Sequence, residues 1–189
     1  MRALRRRLSS KEQQVAARGF ARVIACARLL RPGSRVAVYH RQGSEADLAG
    51  VIALARRLGC VLYLPLITQR RSSRMEFVRF DAHTPLRLNT FGIREPTLAA
   101  AHRTPVRELD LILLPLVAVD AQGWRLGSGA GFYDRRLHHL RAGRYWRRPR
   151  LVGIAYEFQR VPRLGCEPWD VPLDAVITEK SLHSFPLKS

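Results

Sequence analysis

Lysine is nearly missing from this chain. Of the 33 cationic side chains among its 189 residues, only Lys11, Lys180 and Lys188 are lysines. Acidic residues number 15, so the formal net charge of +18 rests on arginine. A field of that sign attracts anions: nucleotides, phosphates, polycarboxylates, RNA or acidic membranes. An arginine skew also follows from base composition alone, so it does not choose among them. Cysteine is scarce too. Cys26, Cys60 and Cys166 stand far apart, no CxxC occurs, and any pairing leaves one over. That argues against a disulfide framework and a zinc ribbon, and for small buried side chains in a reducing compartment. No apolar run approaches the ~20 residues that span a bilayer. None follows the basic Met1–Arg7 segment either, so no signal peptide is expected and the cytoplasm is the default location. GxSxG, HExxH and GK[ST] are all absent, which sets aside the α/β-hydrolase elbow, the zincin helix and the Walker A loop. His138 and His139 are adjacent on an expected helix and cannot clamp one metal.

What is present is ordinary globular composition, 47% hydrophobic and 25% charged. It is enough for one domain, residues 1–189, with a full core and no staples. Ser9 and Glu12 have capping-box spacing ahead of a helix carried by Val15, Phe20, Val23, Ile24, Ala27 and Leu30, which Arg31-Pro32-Gly33 ends. Arg35–His40 reads as a buried strand and Ala46–Leu58 as a helix with Leu48, Ile52, Leu54 and Leu58 inward. Gly59 closes that helix and Cys60–Pro65 is the next strand, so parallel neighbours with a right-handed crossover are expected. Gln69–Arg74 is a basic turn, Met75–Phe80 a strand at or near an edge, and Asp81–Arg107 a long irregular segment. Leu109–Val119 is the most apolar run and reads as a central strand. A turn (Asp120–Gly123), a glycine-rich loop (Gly127–Gly131) and a helix from Phe132 follow it. Leu151–Tyr156 and Asp174–Thr178 read as the last two strands. Alternating β and α predicts a three-layer α/β/α open, mostly parallel, Rossmann-like sheet.

Three stretches could do chemistry. In Arg125-Leu-Gly-Ser-Gly-Ala-Gly-Phe-Tyr-Asp134 three alternating glycines follow a buried strand and precede a helix. That suits a phosphate cradle of backbone amides at a helix start, and equally a tight structural turn. Arg125 offers a planar fork to phosphate or carboxylate, and Asp134 is placed to hold a hard cation such as Mg²⁺. Phe132 stands where a dinucleotide fingerprint has its third glycine. In Cys166–Thr178, Asp170 and Asp174 flank a proline-containing loop running into a strand. They either face a ligand crevice or cap turns. In Gly43-Ser-Glu-Ala-Asp47, Ser44 caps and Glu45 sits in the first turn of a helix, or Glu45 binds the donor face of an aminopyrimidine. His40, at a strand end, is the one histidine placed near a site. No nucleophile–base pair is evident, so an enzyme built this way works by positioning and electrostatics, as phosphoryl transfer does.

Taken in order, these stretches resemble the 5-formyltetrahydrofolate cyclo-ligase (5,10-methenyltetrahydrofolate synthetase) family from Leu4-Arg5 to about Thr178. The family's Arg-Leu-Gly-x-Gly-x-Gly-[FY]-Tyr-Asp is similar to Arg125–Asp134. Its segment after the first strand is similar to Glu45–Leu48, its long-loop segment to Asn89-Thr-Phe-Gly-Ile-Arg-Glu-Pro96, and its tail to Glu167–Asp174. The resemblance implies an ATP- and Mg²⁺-using ligase that converts 5-formyltetrahydrofolate to 5,10-methenyltetrahydrofolate through a phosphorylated formyl group. It implies that Arg5 and Arg125, Leu126, Gly127, Ser128, Gly129, Ala130, Gly131, Phe132 and Tyr133 hold ATP, with Arg125 and Tyr133 catalytic. It assigns Asp134 and Asp174 to the metal, and His40, Glu45, Phe91 and Phe132 to the folate. The implied partners are small molecules (ATP and a reduced folate, polyglutamylated or not), with no membrane and no nucleic acid, and the chain a cytoplasmic monomer. Three departures stand out: Met1 where many members have Lys, Ser128 and Ala130 between the glycines, and Leu66 where Arg or Lys is frequent. Rival readings are a basic nucleic-acid-binding module, which the charge and the arginines of 135–150 would suit, and a paralogue acting on another acylated substrate.

Overall fold

The structure is a computed structural model and describes residues 1–69, 74–90, 92–97, 103–129, 131–138 and 149–186. The capping box forms. Ser9 Oγ accepts from Glu12 N at 3.3 Å and the Glu12 carboxylate accepts from Ser9 N at 2.8 Å, satisfying two orphan donors of the helix start. It opens α2 (Ser10–Cys26), which follows a basic helical turn, α1 (Arg2–Arg7). α2 buries Ala16, Gly19, Phe20, Val23 and Ile24. Val15 is 60% exposed, because one position before Ala16 lies about 100° off that stripe. β1 (Arg35–Ala37), α3 (Ala49–Arg57) and β2 (Val61–Gln69) make the expected parallel unit, paired Val36 to Leu62. α3 begins three residues later than the pattern suggests, so its inward stripe is Val51, Ile52 and Ala55 below a buried Leu48. Leu54 is only half-buried and Leu58 is exposed at the rim.

β3 (Arg74–Phe80) runs antiparallel to β2, and residues 70–73 of the expected basic turn lie outside the described residues. The segment expected to be irregular holds a hairpin, β4 (Leu86–Leu88) with β5 (Arg94–Pro96), and a two-residue edge strand, β6 (Arg103–Thr104). Pieces this short show no period. The apolar run from Leu109 is not one strand. β7 (Leu111–Pro115) stops, and β8 (Ala118–Val119) folds against β9 (Arg125–Leu126). The run is buried throughout, so hydropathy hides the break. α4 (Phe132–Leu137), β10 (Arg150–Ile154) and β11 (Ala175–Ile177) are as read, and an unforeseen antiparallel strand, β12 (Leu182–Ser184), ends the sheet.

The sheet order is β12-β11-β10-β7-β1-β2-β3-β6, parallel from β11 to β2 and antiparallel at both margins. α2 and α3 cover one face, packing Phe20, Ile24 and Val51 on Val36, Leu64 and Ile154. On the other face Val106, Leu109 and Leu137 pack on Ile112, Leu114 and Phe77. This is the mostly parallel three-layer arrangement expected, and strands buried on both faces explain why they read as continuous apolar runs. From β1 the chain goes first to β2 and β3 on one side, later to β7, β10 and β11 on the other. The strand order therefore reverses between β1 and β7, and open α/β sheets bind ligands at such a point, beyond the carboxyl ends of the strands. No helix among the described residues is long and apolar enough to cross a membrane.

Candidate active site

A cavity of ≈ 310 Å³ lies at that switch point. Tyr39 and His40 enter it from the end of β1, Pro115, Leu116 and Val117 from the end of β7, and Pro65 and Ile67 from β2. The β4–β5 hairpin adds Asn89, Ile93 and Glu95. The glycine loop and α4 close the remaining wall with Arg125, Gly127, Ser128, Gly131, Phe132, Tyr133 and Asp134. Gly129 and Gly131 have φ of +101° and +63°, a conformation glycine adopts without steric cost. The loop can thus bend back to start α4 at Gly131.

Two arginines of α1 hold this loop and wall. Arg2 Nη2 donates to Ser128 O at 2.6 Å and the buried Arg5 donates through Nη1 to Leu116 O at 3.0 Å. Gln159, also buried, donates to the carbonyls of Leu116 and Val117, both at 2.9 Å. The Leu116 and Val117 carbonyls just past β7 therefore meet donors, as buried polar groups require.

Arg125 is not an open fork. Its side chain is 3% exposed; Nη2 donates to Asp134 Oδ1 at 2.5 Å and Nη1 to Val171 O at 2.6 Å. The Glu167–Asp174 tail is thereby fastened beside the glycine loop. Burial lowers the Arg125 pKa, while the charges of Asp134 and Asp170 oppose that shift. Across the cavity, burial raises the pKa of Glu45, against a hydrogen bond from Gln42 N at 3.0 Å and the charge of Arg5. Burial pushes the Tyr133 phenol far up, and Glu45 adds to this, so the phenol stays protonated and can donate. Tyr39 shifts in the same direction for the same leading reason, and its hydroxyl donates to Ala46 O at 3.1 Å. The cavity thus carries the Arg125–Asp134 pair on the glycine-loop side and Glu45 among Tyr39, His40 and Gln42.

Residues 1–179 match the model of the 5-formyltetrahydrofolate cyclo-ligase family. The chain belongs to that family. It is 37% identical over 145 residues to the 5-formyltetrahydrofolate cyclo-ligase of Haemophilus influenzae, covering 76% of this chain and 74% of that one. To the same-named protein of Escherichia coli K12 it is 35% identical over 150 residues, with 79% and 80% covered. Among solved structures, the NMR structure of Aquifex aeolicus 5,10-methenyltetrahydrofolate synthetase superimposes with a TM-score of 0.80. There the identity is 28%, over 99% of this chain and 90% of that one. The Mycoplasma pneumoniae 5,10-methenyltetrahydrofolate synthetase, at 22% identity and a TM-score of 0.71 over 94% and 93%, shares the fold. As a cyclo-ligase family member the chain is an enzyme of the ligase class and of folate metabolism.

On this cyclo-ligase scaffold the structure gathers most of the residues singled out from sequence. His40, Glu45, Arg125, Gly127, Ser128, Gly131, Phe132, Tyr133 and Asp134 line one cavity, and Arg5 bonds its wall. Leu126 (51% exposed) and Gly129 belong to the loop but not to the lining. Phe91 and Ala130 lie outside the described residues. Asp174 is not brought to Asp134. Its Oδ2 accepts from Leu151 N at 2.6 Å at the start of β11. Leu151 pairs with Ile112, three residues before Pro115, which puts Asp174 roughly 10 Å short of the cavity's floor along the strands. Burial raises its pKa, and it serves here as a backbone acceptor, the turn-capping alternative. Asp170 likewise accepts, from Glu167 N at 2.8 Å. Among the described residues no group of three or more His, Cys, Asp or Glu could hold a metal. The donor set therefore fits Mg²⁺ only as Asp134 sharing it with phosphate oxygens and water, a usual mode for that ion. Glu95, Asn89 and Gln159 were not read as functional from sequence. Glu95 is 3% exposed and accepts from Asn89 Nδ2 at 3.1 Å and Arg87 Nη2 at 3.3 Å. Asn89 and Glu95 stood in the sequence only as members of the family-like segment Asn89–Pro96, with no role attached.

Proposed function

We propose that the chain closes 5-formyltetrahydrofolate to 5,10-methenyltetrahydrofolate at the expense of ATP, giving ADP and phosphate through an O-phosphorylated formyl group. The observation that supports this most is one cavity in which the glycine loop, Arg125, Asp134 and Tyr133 face Glu45 across an apolar floor. The formyl oxygen attacks the γ-phosphorus and the bond to ADP breaks. N10 then adds to the activated carbon, its proton leaves to solvent, and phosphate departs with the carbon–oxygen electron pair. An amide oxygen is already nucleophilic, so no base is required for the first step, in keeping with a site that lacks a nucleophile–base pair.

Bound beside Asp134, Mg²⁺ would neutralise charge on the phosphates. The Arg125–Asp134 pair is one that a metal–nucleotide would part, guanidinium to phosphate and carboxylate to cation. Tyr133, protonated, donates to the moving phosphoryl group. Backbone amides from Gly127 to Gly131 bind phosphate oxygens, Arg2 keeps that loop in place and Arg5 the wall at Leu116, and Phe132 and His40 flank the folate. Glu45 accepts from the aminopyrimidine edge, for which a carboxylate has more acceptor capacity than an amide. Cys26, Cys60 and Cys166 are free, and Cys26 and Cys166 are exposed where buried side chains were expected; unpaired thiols support a reducing compartment such as the cytoplasm.

Purified protein given 5-formyltetrahydrofolate and Mg-ATP should develop the methenyl absorbance with one ADP per product. Equal product without nucleotide and with chelator present would overturn the reading.

A further inference from the structure

At ≈ 310 Å³ the cavity sits at the low end of ligand sites, which run from about 300 Å³ upward. A phosphoryl donor and a reduced pterin have to share it, so the remainder of the substrate has to leave it. Tyr39 and His40 line it on one side and a second, wider cleft of ≈ 670 Å³ on the other. The β4–β5 hairpin is the partition. Side chains alternate along a strand, and here Ile93 and Glu95 face the first cavity while Arg94, with Leu86 and Leu88 of the facing strand, borders the second.

The second cleft is basic. Arg41, Arg56 and Arg94 reach it from three different parts of the chain. Arg41 is engaged by Gln13 Oε1 at 3.0 Å and Asp47 at 3.7 Å. Arg56 lies over the ring of Phe80, 5.2 Å from its centre, and is exposed, as is Arg94. Among the described residues neither Arg56 nor Arg94 is ion-paired to a carboxylate. The two acids of the cleft are committed elsewhere. Asp47 accepts from Ala49 N, and Asp81 from His83 N and the Thr84 hydroxyl. At the junction His40 packs edge-on against Phe80, and its Nε2 is buried with no partner. Burial, then Arg94 and Arg56, lower its pKa, with Asp47 opposing. Both guanidinium charges are thus felt where the two spaces meet.

Resting on the function proposed above, we propose that Arg56 and Arg94 bind the carboxylates at the glutamate end of the substrate, the ring end lying in the first cavity and the linking arm passing His40. Guanidinium forks suit carboxylates geometrically, and no such unpaired set lines the first cavity.

The test compares 5-formyltetrahydrofolate with 5-formyltetrahydropteroate, which lacks the glutamate, in the wild type and in Arg56→Gln, Arg94→Gln and the double variant. Arg18→Gln, which removes an exposed charge on α2, is the control. Each cleft substitution should raise KM for the glutamate-bearing compound about tenfold, the worth of a charge-assisted hydrogen bond. It should leave kcat, the KM for ATP and the KM for the pteroate unchanged, and Arg18→Gln should change nothing. Equal effects on both compounds, no effect on either, or an equal effect of Arg18→Gln would overturn the proposal. If the wild type forms no methenyl product, the proposed reaction fails. Equilibrium titration of the same compounds, which needs no turnover, then decides the subsite by the same comparison.

Discussion

At Arg125 and Asp134 a pair that reads from sequence as two separate ligands turns out to be one unit, 3% and 23% exposed. Removing Arg125 leaves the partly exposed Asp134 carboxylate without its partner, at a cost below the about 3–5 kcal/mol of a fully buried pair. Arg125→Ala should therefore lower both the thermal midpoint and kcat/KM, the latter at least about tenfold. A melt beside the kinetics checks this, and a folded variant with wild-type kinetics would deny Arg125 its role. Glu45 makes a pH prediction. Its pKa is raised, chiefly by burial, so charging it costs folded-state stability. That cost is absent below the ordinary glutamate range, where the group is neutral folded and unfolded; it grows as pH rises from there and is complete once pH has passed the raised value. Glu45→Gln keeps the bond from Gln42 N without the charge. It should melt higher than wild type at neutral pH, match it in acid, and bind folate more weakly, about tenfold or more if a charge-assisted bond is lost. The first-turn reading of Glu45, and the cap reading of Ser44, fail in the fold, because α3 begins at Ala49 behind an N-cap at Leu48 and has no acid in its first turn.

Among the elements, α2 shows how a sequence pattern and a tertiary contact divide the work. Its cap is legible from Ser9 and Glu12, and Ser9→Ala should cost about 1 kcal/mol, or roughly 2–4 °C in a chain of this size. Gly19, mid-helix, looks like a weakness that alanine should repair by about 0.5–1 kcal/mol. In the fold a Cβ there would run into the Glu179 backbone carbonyl. Gly19→Ala should instead destabilise by roughly 1–3 kcal/mol, as overpacking does, with chemical denaturation as the measurement. α1 tethers the glycine loop through the Arg2–Ser128 bond. Losing a net 0.5–1.5 kcal/mol with Arg2→Ala should raise the KM for ATP about two- to tenfold while leaving folate KM in place.

For the whole molecule the dominant fact is a charge of +18. Self-repulsion destabilises the compact state and the field draws in anions, and salt screens both beyond about 8–10 Å. Raising ionic strength from low to physiological should raise the thermal midpoint and lower kcat/KM for the anionic substrates together, and parallel melts and initial rates test the pairing. Tight RNA binding with its own steep salt slope, unaffected by folate, would instead give the charge to a nucleic-acid partner. Much of the 135–150 arginine cluster lies outside the described residues. Among the described residues, arginines that border the two spaces or hold their walls are Arg2, Arg5, Arg41, Arg56, Arg94 and Arg125.

The sequence by itself determined what depends on near neighbours. It set the layered α/β class through buried parallel strands and helical stripes, the capping box at Ser9, the glycine loop, and the family through four motifs in order. Only the tertiary structure decided what depends on residues far apart meeting. Asp174 and Asp134 share a motif set, yet they sit at different levels of the sheet, because Asp174 precedes β11 while Asp134 follows the carboxyl end of β7. The Leu109–Val119 run breaks because its second part has a partner strand, at Arg125–Leu126, that hydropathy does not register. Glu95 and Gln159 carry no periodic signal, since a buried polar side chain is placed by the acceptors and donors it must satisfy, and those come from elsewhere in the chain. The reversal of strand order between β1 and β7 is likewise invisible along the sequence, and it is what puts His40, Glu45 and the glycine loop around one cavity.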